Sequence, residues 1–499
     1  MINVQKIPLG EEKSKDFKVL LNGTVSAELY SARVSAVPYN TVWPGCQRPL
    51  DQTELASFLS FETDEEVHVR LTACRDFQNI VVRPISENIC ARKEGRDIFF
   101  TIQKPGQYTV ELDGFSKALH IFANPVADCC VDPSSPDVIY FAPGIHKPGL
   151  IEVKSNQTVY IDSGAVVYGA IQSICAENIK VTGYGILDGS EEVRDSGTLP
   201  LPYDFDNELP ASEESIRSFL SEHQVLRGCM RFYYCRNITV SGVICRDSAS
   251  FAVIPAACDN IIIDNIKTIG MWRYNSDGID LFNSANCVIK NCFLRNFDDC
   301  IVLKGIKGFD KRNLENILVQ NCVVWCDWGR ALEIGAETCA DEYRNIIFED
   351  CDVIHGNDIM LDIQNADRAE VHDVTFENIR CEYNKYQLPV KYQHDMTMPY
   401  TFLNHDWQPK LIKIHSFHND NQYSHDKKLG NIHDITLKNI YVLCDEGIDM
   451  PKTVFEGIDE NHLTKDIRID GLFYNGNKIR DITYANIICY EFVRNIIFV

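Results

Sequence analysis

Apolar and polar residues alternate with a period of two along most of the chain, and helical spacing is nearly absent. In the first 125 residues the alternation comes in short stretches, among them FKVLLNG from Phe17, EVHVRLTAC from Glu66, DIFFTIQK from Asp97 and KALHIFANP from Lys117. Successive side chains of a strand point to opposite faces, so each stretch reads as a strand with one buried face. Gly, Pro, Asn and Asp punctuate them at turn positions. Several short strands with turns between them predict a β-sandwich of immunoglobulin-like size over residues 1–125. Residues 126–137, VADCCVDPSSPD, read as a linker.

The pattern then changes. Short segments open on Asn or Asp and continue with alternating apolar residues, as in ENIKVTGYGI, DNIIIDNIKT, ENILVQNCVV and VHDVTFENIR. The leading residues stand at 178, 237, 260, 286, 316, 345, 373, 434 and 481. Between 237 and 373 the gaps run from 23 to 30 residues, a repeat length that belongs to solenoids. Six residues after each leader come Tyr184, Val243, Ile266, Cys292, Cys322, Cys351, Ile379, Ile440 and Ile487. Such a column suits stacked parallel strands, in which each residue meets its counterpart in the next coil about 4.8 Å away. The reading is an all-β chain whose residues 138–499 form a right-handed parallel β-helix. Two insertions interrupt it, at about 191–227 and 384–430. The first contains SEESIRSFLSEH, a short helix capped by Ser212; the second is rich in Tyr, Trp, His and Asp.

Composition narrows the function. A net charge of −23 argues against nucleic acid as a partner, because neutralising phosphates requires clustered Lys and Arg. No apolar stretch approaches the roughly 18 residues of a membrane span. The N-terminal MINVQKIPLGEEKSKDF carries no apolar run of a signal peptide. Cytoplasmic location and reduced thiols are therefore expected for the twenty cysteines. Cys292, Cys322 and Cys351 read as small core residues, not ligands.

The chemistry concentrates where four segments align without gaps: SDGIDLFN, DDCIVLKG, GRALEIGA and NDIMLDIQ. Asp277, Asp299, Arg330 and Asp358 then occupy equivalent positions in successive coils, with Asp298 beside Asp299 and Asp280 expected to stand apart, either supporting the site from behind or serving the fold. Carboxylates one strand spacing apart raise at least one pKa by repulsion. That arrangement serves glycoside hydrolysis, which needs one protonated carboxyl and ionised partners for water. Calcium or lyase-type chemistry, or mere decoration of a solenoid, are the alternatives the residues leave open.

NSDGID, followed by DDCIVLKG, resembles the signature of glycoside hydrolase family 28, the polygalacturonases and their relatives. SNQTVYIDSGAVVYGAI, GYGILDGS and RFYYCRNITVSGVICRDSASFAVIP agree with it, so the resemblance covers about residues 138–379. It implies an inverting hydrolase without metal or organic cofactor. Asp298 would be the general acid, and Asp277 and Asp299 would hold and deprotonate water. The sandwich placed before a β-helix, with VWPGCQRPLDQTE, is also similar to family 49, the dextranases and isopullulanases.

The sequence departs from the family-28 pattern at two sites. Arg330 stands where the family's Gly-His-Gly places its histidine, and a permanently charged guanidinium cannot shuttle a proton. NDIMLDIQ stands where Arg-Ile-Lys would grip a substrate carboxylate, and no Lys or Arg occurs between Arg344 and Arg368. Substrate contacts are expected from Arg330, Lys304, Asn275, Glu333, Asp362 and Trp407. Tyr386, Tyr392 and Tyr400 are further candidate sugar platforms, and His394, His405 and Asp406 are candidate substitutes for the histidine. The expected partner is an imported oligosaccharide, neutral or galacturonate-containing, cleaved from one end. A fructotransferase-type cyclising enzyme and a pectate-type lyase are the rival activities.

Overall fold

The computed structural model describes the chain except residues 37–49, 128–130, 193–211, 223–227, 310, 388–390, 393–397, 400, 403–406 and 420–422. Trp43, His394, Tyr400, His405 and Asp406 lie outside the described residues.

Two sheets form the N-terminal part. One contains Phe17–Leu21, Val25–Ala27, Val67–Ala73, Arg92–Glu94 and Asp97–Ile102. The other is built on Thr53–Thr63, Gly106–Leu112 and Leu119–Asn124, with Leu119–Asn124 running parallel to Thr53–Thr63. Their alternating residues meet in one core that includes Phe17, Val19, Leu59, Val69, Leu71, Tyr108 and Ile121. The sandwich read from the sequence is what forms.

From Val138 onward 31 strands among the described residues join one sheet, parallel but for the hairpin strand Asn477–Lys478, wound into a right-handed β-helix. Each central coil contributes three strands, and each strand pairs in parallel with its counterpart one coil on. Glu177–Thr182, Arg236–Ser241, Asp259–Asp264 and Ala285–Lys290 stack on the first face. Ile244–Arg246, Lys267–Met271, Phe293–Asn296 and Val323–Cys326 stack on the second. Val253–Ala256, Ile279–Phe282, Ile301–Gly305, Arg330–Thr338 and Ile359–Asn365 stack on the third.

The repeated asparagines have a physical reason. Asn178, Asn237, Asn260, Asn286, Asn316 and Asn345 all adopt a left-handed backbone, with φ between 53° and 58°. Asparagine tolerates that conformation better than other residues with a Cβ. Its amide also reaches the next coil: Asn237 donates to Asn178 at 2.8 Å, Asn260 to Asn237 at 2.7 Å and Asn345 to Asn316 at 2.7 Å. Inside, Cys292, Cys322 and Cys351 are fully buried among Ile, Val and Leu, and the described cysteines are free thiols.

Two register readings need correction. Asp481 does not lead a coil: it has φ −129° and caps the turn Ile482–Tyr484 by accepting from the Thr483 amide. The ladder passes instead through Asp434, Asp466 and Asn495, and Leu472 takes the inward place assigned to Ile487. Asp serves both as a left-handed residue and as a cap, so the motif RDITYANII imitates a coil opening. Tyr184 likewise points outward, its hydroxyl donating to the Pro125 carbonyl at 2.9 Å, while Gly185 holds the inward position.

The helix in the first insertion spans Glu213–Glu222 and is capped by Ser212, whose Oγ accepts from the Ser215 amide at 3.2 Å. No described helix is long and apolar enough to cross a membrane.

The N-terminal sheet lies on the second face. Phe122 meets Phe293 with ring centroids 5.1 Å apart, and His120 meets the same ring at 5.0 Å. The Arg295 guanidinium sits 3.8 Å from the Trp325 ring centroid and 2.9 Å from His120 Nε2. Arg83 bridges Glu111, at 2.9 Å, and Glu382 from the β-helix, and His355 also contacts Glu111. Burial alone would raise the Glu111 pKa, yet Arg83 and His355 hold it down to about 2.

Candidate active site

The site is built at the turns leading from the second face into the third. Each turn bends the chain from one face to the next within a few residues, so its polar side chains project from the coil while the flanking strands keep apolar residues inside. Ile279 pairs with Ile301 and Ile301 with Leu332, which places Asp277, Asp299 and Arg330 at matching positions in three consecutive coils. Asp298 lies beside Asp299 in the same turn.

Gly329 shows how close these groups are. A Cβ on it would fall 2.4 Å from Asp299 Oδ1 and 2.7 Å from Asp298 Oδ1, so the two oxygens lie within about 5 Å of each other. The Arg330 backbone amide donates to Asp299 Oδ1 at 2.9 Å. Lys304, itself buried, reaches Asp277 Oδ2 at 3.1 Å, Asp280 Oδ1 at 3.6 Å and Asp299 Oδ2 at 3.8 Å. Asp280 therefore does not stand apart; Lys304 ties it to the same cluster. The alignment hid this because Asp280 sits three residues along, on the outward side of the strand that Lys304 crosses.

Burial sets the protonation states. It pushes the Asp298 pKa well up, and the charges of Asp277 and Asp299 push the same way against Lys304 and Arg330. Burial also lifts Asp277 to about 7, with Lys304 pulling down and Asp299 pushing up. Asp280 is raised well above the carboxylate range by burial and by Asp277. Lys304 remains charged, because its carboxylate neighbours outweigh the desolvation that would lower its pKa. Carboxyls that titrate apart are the requirement for separate acid and base roles.

The ungapped alignment fails at its fourth segment. Leu332 pairs with Leu361, so Arg330 faces Ile359, Asp358 falls beside Gly329, and Glu333 lies next to Asp362. Three consecutive apolar residues, Ile359, Met360 and Leu361, left the strand's inward parity open in the sequence. Arg330 reaches Asp362 at 3.5 Å and Asp358 at 3.7 Å. Burial raises Asp362 to about 7 although Arg330 and Lys413 pull it down. Glu333 is raised by burial and by Asp299, and accepts from Gln364 at 2.5 Å.

Trp407 closes this end of the row: its indole donates to the Asn357 carbonyl at 2.9 Å, and Lys410 lies 5.3 Å from its ring centroid. Asn275 occupies the left-handed turn just before Asp277, with φ 51°. Tyr386 is not a sugar platform here: Asn79 donates to its hydroxyl at 3.2 Å, and its ring packs against Gly114 of the N-terminal part. Nothing is described of the Tyr392 side chain.

Sequence reasoning missed several members. Lys410 and Lys413 arrive from the next coil, where Lys413 pairs with Asp362 and Lys410 lies 3.6 Å from Asp358. They lie within 384–430, read above as one insertion, but Lys410–Ser416 is a strand of the third face that divides it, so their register was not legible. Trp328 stacks on Phe297 at 5.6 Å and approaches Tyr274 at 6.4 Å, forming an aromatic lip beside Gly329. Its position one residue before Gly329 was the available signal. Tyr423, from the second insertion, has its pKa raised to about 12, mainly by burial.

Residues 155–398 match the family described as Glycosyl hydrolases family 28. Isopullulanase from Aspergillus niger is 23% identical over 352 residues, covering 61% of this chain and 58% of its own length. Dextranase from Arthrobacter globiformis is 24% identical over 200 residues, 38% of this chain and 28% of its own length. The chain thus spans under two thirds of the length of either relative. Among solved structures, Dex49A from Penicillium minioluteum has the same fold, with a TM-score of 0.59 at 14% identity over 97% of this chain and 96% of that one. The chain therefore resembles family 28 in sequence and the dextranase and isopullulanase group in sequence and architecture.

Proposed function

We propose that the chain is a glycoside hydrolase that inverts the anomeric centre of a neutral oligosaccharide, cleaving from one end. The observation that carries this is the meeting of Asp277, Asp298 and Asp299 at the turns of two adjacent coils. Asp298 keeps its proton for the glycosidic oxygen. Asp277 and Asp299 flank Lys304, whose charge lowers the Asp277 pKa, and the pair orients and deprotonates water.

Charge supports a neutral sugar. Seven carboxyl residues, Asp277, Asp280, Asp298, Asp299, Glu333, Asp358 and Asp362, surround four cations, Lys304, Arg330, Lys410 and Lys413. Lys304, Arg330 and Lys410 are already ion-paired, and Lys413 pairs in register with Asp362. A uronate would have to displace a carboxyl of the protein, whereas sugar hydroxyls can exchange hydrogen bonds with Glu333 and Asp362. Trp407 at the end of the row supports attack at a chain terminus.

A second reading comes from spacing. Carboxyls about 5–5.5 Å apart belong to retaining glycosidases, and those of inverting enzymes are usually wider. The nearest Asp298 and Asp299 oxygens lie within about 5 Å of each other, below the inverting range, which makes Asp299 the candidate covalent nucleophile of this second reading. Incubation with neutral gluco-oligosaccharides and with oligogalacturonates, with the first-formed anomer followed by proton NMR, decides both questions. Inversion on a neutral chain is the expected result. Cleavage of galacturonates alone overturns the neutral reading, and retention installs the second mechanism.

A further inference from the structure

A second cleft opens at the opposite corner of the coil, between the N-terminal sheet and the turns joining the first face to the second. Its volume is about 410 Å³, within the range that takes a small ligand. A shallower depression of about 660 Å³ continues it past Asn291, Asn321 and Asp352 to Arg380. Asn291 and Asp298 lie in the turns at opposite ends of the strand Phe293–Asn296, so the cleft and the acid cluster stand at different corners of the coil. The second face and the sheet covering it separate them.

The lining is unusual for a plain domain seam. Asn265, Asn291 and Asn321 present carboxamides from three successive coils, held upright by their ladder: Asn321 donates to Asn291 at 2.8 Å and Asn291 to Asp264 at 2.7 Å. Gln107, 7% exposed, faces them and donates to Asn265 at 2.7 Å, yet its Oε1 has no partner. Tyr184, Pro84, Pro105 and Val323 supply apolar and aromatic surface among these amides. The acids at the cleft are met by cations: Glu87 with Lys104 at 3.0 Å, Asp264 with Lys290 at 3.5 Å, and Asp352 with Arg380 at 2.6 Å. Rigid amides beside aromatic and proline surface, with those acids already paired, fit an uncharged ligand carrying many hydroxyls and an apolar ring face.

We propose that this cleft is a non-catalytic binding site for a neutral oligosaccharide. The ligand class rests on the carbohydrate reading above; the site does not. Its role is to hold a saccharide chain on the enzyme away from the bond being broken.

The test uses the full chain carrying Asp298→Asn, titrated with maltotriose and isomaltotriose by calorimetry. Two sites per chain are expected. Ala127→Trp, which fills the cleft, should remove one and leave the affinity of the other unchanged. Gln107→Met, which keeps the volume but removes the carboxamide, should weaken that same site about tenfold, in line with loss of a hydrogen bond to a buried polar group. No binding, one site, or two sites that both survive Ala127→Trp overturns the proposal. Turnover by the unsubstituted chain is scored separately: two sites without hydrolysis of any glycan would sink the proposed function and leave the cleft standing.

Discussion

Asp298 keeps its proton because it is buried beside two other aspartates, and this makes its chemistry and its effect on stability opposite in sign. Asp298→Asn should lower turnover by roughly 10²–10⁴-fold, the usual contribution of a general acid, measured as initial rate on the best oligosaccharide. The same change should raise stability by about 0.5–2 kcal/mol in denaturant unfolding, since active-site strain is relieved. The linkage runs in the same direction. A carboxyl whose folded pKa is raised holds its proton in the native state, so its contribution to stability is present at low pH and is lost as pH rises. For Asp277 and Asp362 that window runs from the ordinary aspartate value of 3.8 to about 7. Activity should rise through about pH 7 as Asp277 ionises and fall again when Asp298 loses its proton. Lys304→Met removes the cation that lowers the Asp277 pKa, so the ascending limb of the pH–rate profile should move to higher pH. A limb that stays in place rules out Asp277 as its source. Gly329→Ala should inactivate the enzyme without unfolding it, because the new methyl would press on both Asp298 and Asp299; circular dichroism and rate measured on one preparation check this.

At the scale of the element, the coil turns depend on asparagine for two separate properties. Asn316→Ala loses the amide bonds to Asn286 and Asn345 and places Ala at φ 58°. Left-handed backbone alone costs a residue with a Cβ about 1–2 kcal/mol, and the lost bonds add to that. Asn316→Gly keeps the backbone freedom and should be the milder of the two in thermal unfolding. Equal losses would show that the ladder bonds, not the conformation, matter at that position. The elements also explain where reading by pattern stops. Strand periodicity locates a coil wherever inward and outward residues alternate. It leaves the register open at Ile359–Met360–Leu361, and it accepts Asp481 as a coil opening although that residue caps a turn.

Across the whole molecule, the N-terminal sheet and the β-helix are joined by buried charge as well as by aromatic packing. Arg83→Met would leave Glu111 and Glu382 facing each other without their cation. Unpairing a buried ion pair from one side typically costs 3–5 kcal/mol, and the loss should appear as a lower denaturant midpoint. Sequence alone was sufficient for the sandwich, the β-helix and the stacking of Asp277, Asp299 and Arg330. All three follow from local periodicity, and a period of two leaves little choice about which side chains share a face. It was not sufficient for the cluster as a chemical object. Lys304 gathers Asp277, Asp280 and Asp299, and Lys410 and Lys413 stand on a coil strand inside the range read as an insertion, which hid their register. The second cleft exists only because Gln107 and the Asn265–Asn291–Asn321 row, distant in the chain, face each other across the seam. Which groups touch after long separation, and how deeply they are buried, decides their charge; only the folded chain settles that.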